Sequence, residues 1–376
     1  MKLGIKLNWH MESIQGTCPE LIVDLEAVIG NYRTLKATAL GDCAAVLKAN
    51  AYGLGSEKIA QALYDEGCRT FFVALTREGI ELRSQFPAAR IFVLSPFITI
   101  DGSLLQENSL IPCLYDIEGI RNWSSLHDKA APAALHFETG INRLGIQEKE
   151  LSFLLNDKRD LAKLDLRLVM SHLSCADRLA SAENSRQLAV FRRIVKTFPG
   201  VPASLANTAG TLLGSKYHFD LVRPGIGLYG HDPHYFEKGQ SRLKTVVSFL
   251  APLMQIKQVE AGEAVGYGAT PVAKKTRLGV ILCGYADGMM RALFKPLSGE
   301  SHQVTVNGHK APIIGRVSMD MITIDLTGLP EGACKTGDMV EIFGPNSLVE
   351  DAAAMAGTSA YELFTRVSDR AIRKYI

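Results

Sequence analysis

The stretch AAVLKANAYGLG, Ala44 to Gly55, begins as an apolar run, meets Lys48, and breaks into Asn50, Tyr52 and two glycines. A lysine at a strand end often only snorkels to water. The residues around it decide whether it is a chemical group. Downstream, short apolar runs alternate with amphipathic stretches. Eight runs read as strands: CAAVLKA from Cys43, FFVAL from Phe71, RIFVLSP from Arg90, LIPCLYD from Leu110, AALHFETG from Ala133, LRLVMSHLS from Leu166, ASLANTAG from Ala203 and FDLVRPG from Phe219. Continuous apolar runs suit strands buried on both faces of a parallel sheet.

Helical patterns lie between them. SEKIAQALYDEG offers Ser56 as N-cap, Ile59, Ala60 and Leu63 on one face, and Gly67 as a stop. LEAVIGNYRTL spaces Leu25, Val28, Ile29, Tyr32 and Leu35 along a helix face. NSRQLAVFRRIVKTFPG supplies a helix ending before Pro199. The alternation predicts a (β/α)8 TIM barrel within an α/β class, with a doubly wound sheet as the alternative. From about Leu243 the pattern changes. QVTVNGHKAPI holds Asn307-Gly308 between alternating residues, a hairpin signal, and MITIDLTG alternates like a half-buried strand. One late helix is expected over Val349–Met355. The expected layout is a disordered leader over 1–17, a barrel over 18–242 and a mainly-β domain over 243–376. The first strand, near 20–24, is a candidate to pair with the β domain.

The whole chain has 376 residues, 47% hydrophobic, with net charge +2. That balance points to neither nucleic acid nor a membrane as partner. No apolar run approaches the ~20 residues of a membrane span. Seven scattered cysteines without a CxxC pair suit a reduced, cytoplasmic setting. His231 and His234 fall in GHDPHYFEKG, whose composition reads as a solvated loop rather than a metal site, and no metal is expected.

In such a barrel the active site lies just past the carboxyl ends of the strands. Applied to the strands above, that rule brings to one rim Lys48 and Tyr52, Glu138 and Arg143, His172, Asn207 and Thr208, then Arg223, Gly225 and Ile226. The last two strand ends often bind phosphate. Thr208 has a hydroxyl, and Gly225 lets backbone approach an anion; Pro224 has no N–H, so Gly225 and Ile226 must donate. A lysine facing a phosphate site suggests pyridoxal phosphate held as an imine. A phosphosugar enzyme with a lysine imine is the rival.

These residues resemble the alanine racemase family, whose cofactor-lysine motif is similar to AVLKANAYGLG. The likeness continues through ETGINRLG, MSHLSCAD, LANTAG, VRPGIGLYG, VGYGAT, GYADG, GRVSMD and AYELFTR, in the family's order, from Ile22 to the C-terminus. The resemblance implies a homodimer in which the β domain of one chain caps the barrel of the other. It implies pyridoxal 5'-phosphate on Lys48 and a two-base racemisation of alanine, with Lys48 on one face of the α-carbon and Tyr267 of the partner subunit on the other. Arg143 and Met319 would meet the substrate carboxylate. Arg223 would face the pyridine nitrogen, with His172 orienting it. Tyr52, Thr208, Gly225, Ile226 and Tyr361, assisted by Asn207, would hold the phosphate. Tyr285, Asp287, Arg291 and Arg316 would line the access channel or the domain interface. D-alanine for peptidoglycan is the implied product. A broader-specificity or serine racemase and a non-catalytic cofactor carrier are the alternatives. A barrel-type decarboxylase would need a carboxylate where Arg223 stands.

The chain departs from the family at three places. Leu54 replaces a common histidine and Ser318 a common cysteine. His136 stands where many members have a carbamylated lysine that steadies the arginine, so no carbamylated lysine is expected. Arg143 would then lean on a chloride, on Glu138, or on water.

Overall fold

The computed structural model describes residues 16–156 and 159–376. Residues 1–15 of the expected leader lie outside the described residues. The chain divides into two compact units, one of Leu25–Thr245 and one joining the described residues up to Asp24 with Val246–Ile376.

β1 (Glu20–Val23) belongs to the second unit. The first unit opens with the helix Leu25–Thr38, which buries Val28, Tyr32 and Leu35. Its first barrel strand comes in two pieces, β2 (Asp42–Cys43) and β3 (Ala45–Val46). Then follow β4 (Thr70–Val73), β5 (Arg90–Val93), β6 (Ile111–Leu114) and β7 (Ala131–His136). β8 (Leu164–Met170), β9 (Ala203–Ser204) and β10 (Leu221–Val222) complete the set. Strands β3 to β9 pair in chain order. β10 pairs in parallel with β2, and the Asp220 N–H donates to the Ala203 carbonyl at 3.0 Å, which closes the ring. All eight expected strands are present. β4 and β6 are buried at every position, because helices cover the outside and side chains fill the inside.

The helix Ser56–Asp65 buries Ile59, Ala60 and Leu63 as its spacing predicts. Its cap differs from expectation. Ser56 is its first residue, and its N–H donates to Asn50 Oδ1 at 2.8 Å. The cap therefore comes from the lysine turn rather than from the helix itself. The helix Ala182–Val195 follows β8 and its loop.

The second unit is built on β11 (Val247–Val259), a strand of 13 residues. The first part of β11 pairs antiparallel with β1, and from Leu253 onward it pairs antiparallel with β14 (Thr276–Ile281), with a register shift between Leu253 and Gln255. Between them run β12 (Ala264–Val265) and β13 (Thr270–Pro271). β15 (Gln303–Val306) and β16 (His309–Pro312) form the expected hairpin, with Asn307 at φ 47° and Gly308 at φ 80°. Both central residues thus adopt the left-handed geometry that Asn-Gly favours. β17 (Ile322–Asp325), β18 (Met339–Phe343) and β19 (Ile372–Tyr375) finish the sheet, β19 lying parallel to β1. The helix Val349–Ala356 matches the late helix expected, and a second, Ala360–Arg366, holds Tyr361.

Candidate active site

Lys48 does not end on an ordinary loop. Ala49, Asn50, Ala51 and Tyr52, none of them glycine, have φ of 53°, 54°, 50° and 58°. A left-handed conformation costs an L-residue roughly 1–2 kcal/mol. The turn is held by hydrogen bonds from the Ala51 N–H to the Leu47 carbonyl and from the Gly53 N–H to the Ala49 carbonyl, both 2.8 Å. It ends the strand just before Lys48 and brings Tyr52 against Gly225, just past the neighbouring strand β10. Burial lowers the pKa of the Lys48 amine; Arg143 lowers it further, and Glu78 opposes them. A lysine so placed is closer to being a free amine than one at the surface.

Tyr52 meets Gly225. A side chain at Gly225 would bring its Cβ 2.4 Å from the Tyr52 hydroxyl, so the position must be bare. The Thr208 hydroxyl oxygen accepts from the N–H of Gly225 at 3.0 Å and of Gly227 at 3.1 Å. Its own O–H is then available to donate outward. The Gly225 N–H, read as a phosphate donor, is already taken up by Thr208; the Ile226 N–H is the free donor of the pair. Tyr52, Thr208 and the Ile226 N–H thus form a cradle of donors without an acidic member, with Gly225 leaving the space between them, which suits a phosphate.

Arg223 is 3% exposed in the barrel interior. It donates from Nη1 to Ser204 Oγ and from Nη2 to the Ser171 carbonyl at 2.6 Å. Burial pulls its pKa down to about 10, and it remains a cation at neutral pH. With two donors spent on the strand ends, its other N–H groups are left for a ring-nitrogen acceptor. His172 Nε2 lies 3.3 Å from Asn207 Nδ2, so its hydrogen-bond partner is Asn207, and serines hold Arg223 instead. Burial, followed by Arg223 and Arg143, keeps the His172 pKa well below the ordinary imidazole value. The lysine-cradle-arginine arrangement therefore fits pyridoxal phosphate by its chemistry: an amine, an anion cradle and a cationic donor inside one barrel.

His136 is 6% exposed, and neither ring nitrogen has a hydrogen-bond partner among the described residues. Burial, then Arg223 and Arg143, pulls its pKa down to about 4. It is neutral at physiological pH. Glu138 does not hold the guanidinium of Arg143. Its carboxylate accepts the backbone N–H groups of Gly140 and, at 3.2 Å, Arg143, and so shapes the loop instead. Of the histidine pair in the 231–239 loop, His234 is buried and its Nε2 pairs with the Ala176 carbonyl at 2.7 Å. No cluster of His, Cys, Asp or Glu among the described residues could hold a metal.

The second unit carries a groove of about 910 Å³ lined by Tyr267, Tyr285, Arg291, Arg316, Ser318 and Met319, among others. Tyr267 is 73% exposed and Met319 53%. Gly268, at φ +83°, would place a Cβ 2.9 Å from the guanidinium carbon of Arg316, so the arginine packs against the tyrosine's own turn. The Tyr285 and Ala286 N–H groups donate to the Ser318 and Met319 carbonyls, both at 3.0 Å. Tyr361 does not line this groove.

The pattern of the alanine racemase N-terminal domain matches residues 23–233, and that of the alanine racemase C-terminal domain matches residues 246–375. The chain belongs to the alanine racemase family. It is 39% identical over 374 residues to the alanine racemase of Brucella canis, covering 95% of this chain and 93% of that one. It is 41% identical to the biosynthetic alanine racemase of Agrobacterium fabrum, over 95% of this chain and 93% of that one. The catabolic alanine racemase of Rhizobium johnstonii is also 41% identical, over 96% of each chain. The crystal structure of alanine racemase from Bartonella henselae with covalently bound pyridoxal phosphate superposes with a TM-score of 0.89 at 38% identity, over 96% of this chain and 99% of that one.

Within this alanine racemase fold, Lys48, Tyr52, His172, Asn207, Thr208, Arg223, Gly225 and Ile226 all stand in the barrel unit, with Arg143, while Tyr267, Met319 and Tyr361 stand in the other. Reading the sequence missed Ser171, Ser204 and Glu78. The serines lie within strands or next to them and resemble core residues. Only their place opposite Arg223 marks them.

Proposed function

We propose that this protein racemises alanine with pyridoxal 5'-phosphate held on Lys48. The observation that carries this reading is the half-buried lysine at the mouth of a barrel whose interior holds Arg223 and whose rim holds the donor cradle. The bound cofactor supplies an electron-poor ring that makes the substrate's α-proton acidic. Tyr52, Thr208 and the Ile226 N–H would anchor its phosphate, with Tyr361 added by the family motif and Asn207 assisting through His172. Arg223 would donate to the pyridine nitrogen. An arginine does not give up its proton readily, so that nitrogen stays unprotonated and the ring remains a restrained electron sink. Arg143 and Met319 would receive the substrate carboxylate.

Proton transfer is needed on both faces of the α-carbon, and two bases are the simpler arrangement. The Lys48 amine, pushed toward its free form by burial, would take the proton from D-alanine. The partner's Tyr267 would serve the other face. The exposure of Tyr267 and Met319 supports a homodimer whose active sites are shared, because a groove of uncovered aromatic and apolar side chains is a surface waiting for a partner. We read the protein as cytoplasmic from its seven cysteines without disulfides, and D-alanine for peptidoglycan as its product. Among the described residues no helix is long and apolar enough to cross a membrane.

Incubation with L-alanine in deuterated water tests the reading. Loss of optical rotation with α-deuteration is the expected result. Carbon dioxide release would indicate a decarboxylase, and no change a cofactor carrier. The same assay with serine and a larger amino acid measures breadth.

A further inference from the structure

Four left-handed residues in succession after Lys48 need an anchor, and the hydrogen bonds that close the turn on itself do not use the Ala49 N–H. The first of them, Ala49, donates its N–H to Glu78 Oε1 at 2.6 Å. Glu78 is the third residue of the helix Thr76–Gln85, and its Oε2 accepts from the N–H groups of Ala74 at 2.8 Å and Leu75 at 3.1 Å. That second oxygen does what a glutamate at this position does at many helix starts. Helix capping leaves the first oxygen unexplained. It reaches across to a different strand-end loop, 29 residues earlier in the chain.

We propose that Glu78 is the positioning residue for Lys48, holding Ala49 in its left-handed conformation so that the lysine leaves the strand end in one fixed direction. This rests on the reading of Lys48 as the residue that holds the cofactor. If Ala49 relaxed to the right-handed region, the peptide joining it to Lys48 would rotate and the amine would move with it. Misplacing a reacting group by about 1 Å can cost on the order of a hundredfold in rate. The carboxylate also acts on the amine through its charge. The charged groups acting directly on Lys48 are Arg143 and Glu78, and only Glu78 favours the ammonium form.

Glu78→Gln keeps an acceptor for one set of N–H groups and removes the charge. Glu78→Asp keeps the charge but withdraws it, and Ala49→Gly removes the left-handed cost that the bond offsets. The full-length protein is stripped of cofactor and reloaded with pyridoxal phosphate. Covalent attachment at Lys48 is timed by borohydride trapping and peptide mass mapping. The pH midpoint of acetic anhydride labelling at Lys48 is measured in the stripped protein.

We expect Glu78→Gln to slow attachment about tenfold while the melting temperature moves by only a few degrees, and to move the labelling midpoint to lower pH. Ala49→Gly placed on Glu78→Gln restores most of the attachment rate and leaves the midpoint where Glu78→Gln put it, because glycine relieves the backbone without returning the charge. Attachment within twofold of the unaltered protein in Glu78→Gln overturns the proposal. So does a double variant no faster than the single one. If Glu78→Gln does not fold, Glu78→Asp carries the attachment-rate comparison, since its shorter side chain withdraws the acceptor from the Ala49 N–H. A borohydride tag on a residue other than Lys48 in the unaltered protein overturns the cofactor reading instead, and the labelling midpoint then judges Glu78 separately.

Discussion

The barrel rim and the groove of the second unit are finished to different degrees. In the barrel, Arg223 is 3% exposed and Thr208 2%, and each is tied to neighbouring strand ends by hydrogen bonds. In the groove, Tyr267 and Met319 stand more than half exposed, and their support comes from backbone turns beneath them. A buried polar side chain must be satisfied by its own chain, whereas an exposed one can wait for a partner. The cradle is satisfied within the barrel unit, whereas the groove is the part that the proposed homodimer would cover.

The sharpest way to break that contrast is to remove the lysine. Lys48→Ala should lose more than about 10⁴-fold in racemisation, as nucleophile and base disappear together, and give no borohydride-trapped cofactor. Next is Tyr267→Phe, expected to lose about 10²–10⁴-fold as one general base is deleted. Mixing the two inactive variants under dissociating conditions and reassembling them should restore roughly a quarter of full activity, since a mixed dimer has one intact shared site. No recovery would mean that each site is built from a single chain. Arg223→Glu should cost about a hundredfold and let a transamination product appear, seen by mass and absorbance, because a carboxylate keeps the ring nitrogen protonated.

The smaller predictions concern stability. The folded pKa of His136 lies near 4, below its ordinary 6.5. Between those values the unfolded chain binds the extra proton, so stability is full above about pH 6.5 and falls as pH drops toward 4, by roughly 3 kcal/mol from this group. Thermal melts of His136→Gln should show a shallower loss across that window, with His172 still contributing. Least of all, Gly268→Ala should cost about 1–2 kcal/mol, as φ is +83° and Arg316 blocks the new methyl. A melt would register it, and the groove's shape would change with it.

Much of this was legible in the residues. Eight apolar runs with helices between them can close only as a barrel when the last strand returns to the first, and β10 does pair with β2. Asn307-Gly308 set its hairpin through local dihedral preference alone. Ser56 was legible only in part. Its helix is where the periodicity put it, but the cap comes from Asn50, a residue whose role depends on the turn after Lys48. Glu138, one of three supports open for Arg143, is legible only in part as well. A carboxylate five residues from an arginine invites an ion pair, yet the loop's backbone N–H groups claim it first, being closer and fixed.

The sequence by itself determined which chemical groups stand at the strand ends, because strand periodicity and barrel connectivity are local and repetitive. It determined the family as well, through motifs kept in order along nearly the whole chain. The tertiary structure alone decided how those groups are held: the left-handed turn at Lys48 and its bond to Glu78, the serines around Arg223, and the two nitrogens of His136, unpaired among the described residues. Such partners come from distant parts of the chain. Their hydrogen bonds depend on distances that only the closed barrel sets.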